Sequence, residues 1–99
     1  MPIAVDVYVV VEGPGGRDSR WLDVFDFEST WPDFRLTLVW REKPPYVRVD
    51  APGDVRRLPF NLPEAIGDYR FFATQDADRA DRALQVGLPD LHSAAQALE

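Results

Sequence analysis

The stretch from Trp21 to Arg41, WLDVFDFESTWPDFRLTLVWR, limits what this chain can fold into more than any other. It holds all three tryptophans and three of the six phenylalanines. Over residues 33–42, Phe34, Leu36, Leu38 and Trp40 fall on one face, and Arg35, Thr37, Val39 and Arg41 on the other. A period of two with one apolar face is a half-buried strand. Residues 20–28 read as a less tidy strand. Trp21, Phe25 and Phe27 share a face with Asp23, while Leu22 and Val24 share the other with Asp26 and Glu28. The short connection Ser29-Thr30-Trp31-Pro32 makes the stretch a predicted hairpin. Alternation turns Trp21 and Trp40 toward the core and leaves Trp31 exposed at the turn.

The flanking sequence extends this into a sheet. Ile3, Val5, Val7, Val9 and Val11 alternate through a first strand, and apolar Tyr8 and Val10 on the even positions place it inside the sheet. Gly13-Pro14-Gly15-Gly16 reads as a loop between antiparallel strands. It lacks the lysine and the following helix that a phosphate loop needs. Tyr46–Ala51 is a fourth strand, placed at an edge by Pro44-Pro45 before it. Val55–Phe60 is extended, with pairing limited by Pro59. Asn61 as N-cap and Pro63 in the first turn predict a short helix over Leu62–Ile66, ended by Gly67. Tyr69–Ala73 reads as the last strand. A helix capped by Thr74 or Asp76 runs through Val86 and is closed by Gly87 and Pro89. Asp90 caps a final helix with an apolar stripe of Leu91, Ala94, Ala95 and Leu98. The expected fold class is α+β, a single domain over residues 1–99. It has one antiparallel β-sheet of about 4–6 strands, one short helix, and two C-terminal helices packed on the aromatic face.

Composition removes several kinds of function. The formal net charge is -6 and the pI about 4.6, with nine acids against six bases in residues 1–50 and eight against five in residues 51–99. Such a chain has no long-range attraction to nucleic acid or to an anionic membrane. No apolar run approaches the roughly 20 residues of a spanning helix. No basic segment precedes the apolar start, as a signal peptide requires. Absence of cysteine suits a reducing compartment, so a cytoplasmic location is expected.

Catalytic and metal-binding patterns are equally poor. One histidine, His92, and no cysteine exclude the usual zinc sets. Asp76, Asp78 and Asp81 have calcium-loop spacing, but Ala80 and Gly87 stand where oxygen ligands belong. Offsetting a helix dipole explains the acids better. His92, Ser93 and Asp90 lie too close along one helix to form a relay. Asp26 and Glu28 lie about 7 Å apart along a strand, a separation glycoside chemistry could use. Arg35 and Arg41 on the same face explain them as cross-strand ion pairs. Asp23, among aromatics, is either turned outward by a bulge or buried. Arginines interleave with rings at Arg20-Trp21, Trp40-Arg41, Tyr46 and Arg48, but the rings belong to the core face and the element order is not that of an RNA-reading sheet. No enzyme, cofactor, metal or nucleic-acid reading results.

A protein partner remains. With the aromatic face under the helices, the outer face shows Tyr8, Val10, Leu22, Val24 and Val39, rimmed by Asp6, Glu12, Asp26 and Glu28. An apolar patch with a charged rim is the pattern of a protein-binding surface. The expected contact residues are Leu22, Val24, Asp26, Glu28, Trp31, Asp33, Arg35 and Val39. The expected function is a small acidic interaction module of the inhibitor, immunity or anti-defence kind, covering a basic surface on another protein. The alternative is a non-catalytic structural or assembly subunit that pairs with itself, as a homodimer or ring, through the sheet face or a strand edge.

Overall fold

The computed structural model describes residues 5–90. Alternating strands punctuated by Gly and Pro turns build two four-stranded antiparallel sheets. The first contains β1 (Val7–Gly13), β2 (Gly16–Leu22), β7 (Glu64–Ile66) and β8 (Tyr69–Thr74), in the order β2-β1-β8-β7. The second is a meander of β3 (Glu28–Thr30), β4 (Arg35–Val39), β5 (Tyr46–Ala51) and β6 (Asp54–Leu58). Their inner faces share one core. Val7, Val9, Val11, Leu22, Phe71 and Ala73 come from the first sheet, and Leu36, Leu38, Val47, Val49 and Leu58 from the second. Each of these Val, Leu and Phe side chains contributes about 1.5–3 kcal/mol by leaving water.

The helix α1 (Ala77–Val86) covers the outer face of the first sheet, where Val10, Phe72, Ala80, Ala83 and Leu88 form a second cluster. Asp76 caps it, its Oδ1 accepting from the N–H groups of Asp78 at 2.9 Å and Arg79 at 3.3 Å. Gly87 ends it at φ 114, donating its N–H to the Ala83 carbonyl. The cap, the closing glycine and the interior place of β1 match the expectation from sequence. On one flank of the sandwich the chain crosses from β2 to β3. On the other, Arg56 of β6 reaches Glu64 at 3.8 Å and the Ala65 carbonyl at 3.5 Å on β7.

Five expectations are corrected. The single sheet is two, because the chain changes sheet after Leu22 instead of continuing a hairpin. Within that stretch the faces are reversed. Leu22 is 1% exposed, while Trp21 is 57%, Phe25 89% and Phe27 41% exposed. The two-residue turn at Pro14-Gly15 fixes the pairing of Leu22 with Val7, and parity then turns Trp21 outward beside Tyr8. The face with Phe34, Leu36 and Leu38 packs on the first sheet, and the helix lies on Tyr8, Val10 and Phe72 instead. Leu62–Ile66 is not helical. Asn61 adopts φ 68, donates its N–H to the Ala73 carbonyl at 2.7 Å and accepts from the Thr74 hydroxyl at 2.7 Å, so the chain turns there into β7. Asparagine tolerates this left-handed corner. β5 is interior, between β4 and β6, because Pro44 and Pro45 precede the strand and remove none of its ladder bonds. The expected final helix with Leu91, Ala94, Ala95 and Leu98 lies outside the described residues.

Candidate functional site

The crossover from β2 to β3 is a fixed turn. The Asp23 carboxylate accepts from the N–H of Phe25 at 2.8 Å and of Asp26 at 2.7 Å, and the Asp23 N–H donates to the Asp26 carbonyl at 3.0 Å. This is the local side-chain-to-backbone bonding by which Asp forms turns. It accounts for the odd acid among aromatics without a bulge or an isolated buried carboxylate. Directly after Asp26, the Phe27 carbonyl accepts from the Leu38 N–H at 2.7 Å and ties the segment to β4. Between these anchors Phe25 projects almost wholly into solvent, with Phe27 beside it in sequence and the exposed acids Asp26 and Glu28 interleaved.

The β3–β4 tip lies further along the same stretch. The Trp31 N–H donates to the Phe34 carbonyl at 2.8 Å, closing it. The Trp31 ring stacks on Phe34 at 5.0 Å, and the Arg20 guanidinium lies 4.5 Å from its centroid. Asp33 accepts from the Tyr69 hydroxyl at 2.6 Å, which pushes the Tyr69 pKa up, with desolvation adding to the shift. A shallow groove of about 370 Å³ runs between this tip and the β5–β6 turn, past Trp31, Asp33, Arg35, Asp50 and Pro52. Asp50 Oδ1 accepts from Arg48 at 3.1 and 2.8 Å, raising the Arg48 pKa. Asp50 Oδ2 and Trp31 Nε1 are buried without a hydrogen-bond partner among the described residues.

The expected contact residues separate. Asp26 and Glu28 are exposed on the crossover, and Trp31, Asp33 and Arg35 sit at the tip, with Trp31 half-buried. Val39 is half-buried on β4, on the outer face of the second sheet. Val24 packs against the core. Leu22 lies within the core and is closed to a partner, a correction that follows from its pairing with Val7. The expected outer patch does not form, because Tyr8 and Val10 lie under α1. Nor do the expected cross-strand pairs. Glu28 stands opposite Thr37, Arg35 opposite Thr30 and Asp50, and the Arg41 guanidinium lies over Trp40.

Sequence reasoning misses Phe25 and Phe27, because the aromatic face that they share with Trp21 is taken as the core face. The readable signal is Asp23 itself, a turn-former two residues before Phe25. Among the described residues, no three His, Asp or Glu side chains gather where they could hold a metal ion, and no helix is long and apolar enough to cross a membrane. His92 lies outside the described residues. No family model matches the sequence, and no curated protein or solved structure matches it either.

Proposed function

We propose that this chain is a small, acidic, non-catalytic protein-interaction module of the inhibitor, immunity or anti-defence kind. It acts in the cytoplasm and engages one partner protein through the crossover and the neighbouring hairpin tip. The observation that carries this reading is Phe25, 89% exposed on a turn held by the Asp23 carboxylate. A ring carried on a backbone that is fixed before binding leaves only side-chain rotation to be lost on docking, and aromatic anchors dominate the energy of many interfaces. Asp26, Glu28 and Asp33 along this stretch, together with the net charge of -6, favour a partner that is basic around an apolar hollow.

The test begins with capture of a partner by the tagged chain and proceeds to its affinity. Phe25→Ala raises Kd by about 30-fold or more, the equivalent of about 2 kcal/mol. Thermal stability stays within about 0.5 kcal/mol, since the side chain leaves solvent rather than core. Association slows as salt is added. Unchanged affinity in both Phe25→Ala and Phe27→Ala would remove the crossover from the interface and end this reading.

A further inference from the structure

The outer edge of β2 is closed by its own side chains. The two-residue turn makes Gly13 and Gly16 a pair that exchanges backbone hydrogen bonds, as do Val11 with Asp18 and Val9 with Arg20 along the ladder. The backbone groups of Arg17, Ser19 and Trp21 therefore point away from β1, where no strand meets them among the described residues. At Ser19 both groups are occupied by neighbours in the chain. Its N–H donates to Asp18 Oδ1 at 2.8 Å, and its carbonyl accepts from Arg20 Nη1 at 3.0 Å. Asp18 and Arg20 also pair with each other at 2.6 Å. This clasp is exposed and therefore weak enough to exchange partners.

The residues from Arg17 to Trp21, Arg-Asp-Ser-Arg-Trp, complement themselves when run antiparallel about Ser19. Asp18 of one copy stands opposite Arg20 of the other, in the closer kind of antiparallel pair, where opposite charges attract best. Arg17 stands opposite Trp21, and a guanidinium beside an indole is a favourable match. Ser19 meets Ser19 with both backbone groups free to exchange. We propose that two copies of this chain pair through β2 about a two-fold axis at Ser19, joining four strands from each into one continuous sheet. Asp18 and Arg20 exchange their bond within one strand for the same bond between strands. Trp21, 57% exposed in the single chain, becomes covered.

Two further details favour this edge. Arg17 is already ordered, donating to the Leu84 carbonyl at 2.9 Å and the Gln85 carbonyl at 3.2 Å, so it loses little freedom on pairing. The other edges suit a second copy less well. β3 and β7 have three residues each, and β6 run against itself about its central residue sets Arg56 against Arg56. Phe25 lies on the crossover beyond the five paired residues Arg17 to Trp21, so this inference does not rest on the partner reading, and Phe25→Ala leaves the dimer unchanged.

Sedimentation of the full chain from micromolar to millimolar concentration tests it, alongside amide exchange at the same concentrations. A monomer–dimer equilibrium is expected, with exchange at Arg17, Ser19 and Trp21 slowing as concentration rises. Asp18→Arg and Arg20→Asp each weaken the dimer by about tenfold or more, because like charges then face each other. The double reversal Asp18→Arg/Arg20→Asp restores it. Ser19→Pro abolishes it while keeping the β1–β2 ladder, since the lost N–H faces outward. If that variant does not fold, the charge reversals decide alone. A chain that stays monomeric to millimolar concentration overturns the proposal, as does a dimer indifferent to the single reversals or one that the double reversal does not restore.

Discussion

Replacing Gly13 with alanine puts a methyl group where the ring of Tyr69 now lies. An ideal Cβ at Gly13 would stand 2.6 Å from both Cδ1 and Cε1 of that ring, against 3.4–4 Å for ordinary contact. The ring has little room to yield. Its centroid lies 5.1 Å from that of Phe34 and 6.3 Å from that of Phe71, and its hydroxyl is bound to Asp33. Overpacking of this kind costs about 1–3 kcal/mol. Alanine also stiffens the unfolded chain, which returns about 0.4–1 kcal/mol. The net loss lies between about 0 and about 2.6 kcal/mol, centred on about 1.3 kcal/mol, or a fall in Tm of roughly 5–10 °C at that centre for a domain of this size. Urea and thermal unfolding of Gly13→Ala, Tyr69→Ala and the double variant form a cycle that isolates the contact. Once the ring is gone, Gly13→Ala is expected to be neutral or stabilising. An equal loss in both backgrounds, or a gain in the wild-type background, would show that the ring does not require glycine beneath it.

Tyr69 also makes stability depend on alkaline pH. Its folded pKa is raised by the bond to Asp33, so its contribution is whole below its ordinary value of about 10 and is lost as pH rises through the folded value. The urea midpoint of the wild type is expected to fall more steeply above about pH 10 than that of Tyr69→Phe, and parallel curves would contradict this. Asp76→Ala removes the acceptor for two N–H groups at the start of α1 and is expected to cost about 1 kcal/mol in urea unfolding, with Asp76→Asn nearly neutral.

Much of the strand pattern is legible in the sequence, because alternation reports which residues share a face. Phe34, Leu36 and Leu38 are read correctly as core on that basis alone. The helix is legible too, since Asp76 and Gly87 mark its ends by local chemistry. Alternation carries no information about which sheet a strand joins. The sequence around Leu22 therefore reads as one hairpin, although a side-chain bond at Asp23 diverts the chain into a second layer. Taking the face that carries Trp21, Phe25 and Phe27 as the core because it is aromatic inverts all three, whereas the pairing of Leu22 with Val7 turns them outward. Asn61 and Pro63 satisfy the local rules for a helix start, but pairing of Glu64–Ile66 with β8 prevails. For the candidate surface, the sequence points to the stretch and to its acids. Which rings stand free depends on turn geometry that no periodicity expresses.

The order of strands has a further consequence, for the chain as it is being made. The second sheet uses residues 28–58 without interruption, while the first joins its opening strands to residues 64–74. The inner meander can close from neighbouring residues as soon as they are present, the kind of topology that forms fast. β1 and β2 must wait as a two-stranded hairpin until Tyr69–Thr74 has been synthesised to pair with Tyr8–Glu12. Through that interval one edge of β1 lies open, and Val9, Val10 and Val11 face water. A chain interrupted before Tyr69 would therefore leave β1 exposed, and the residues that prevent misassembly there are those of β8.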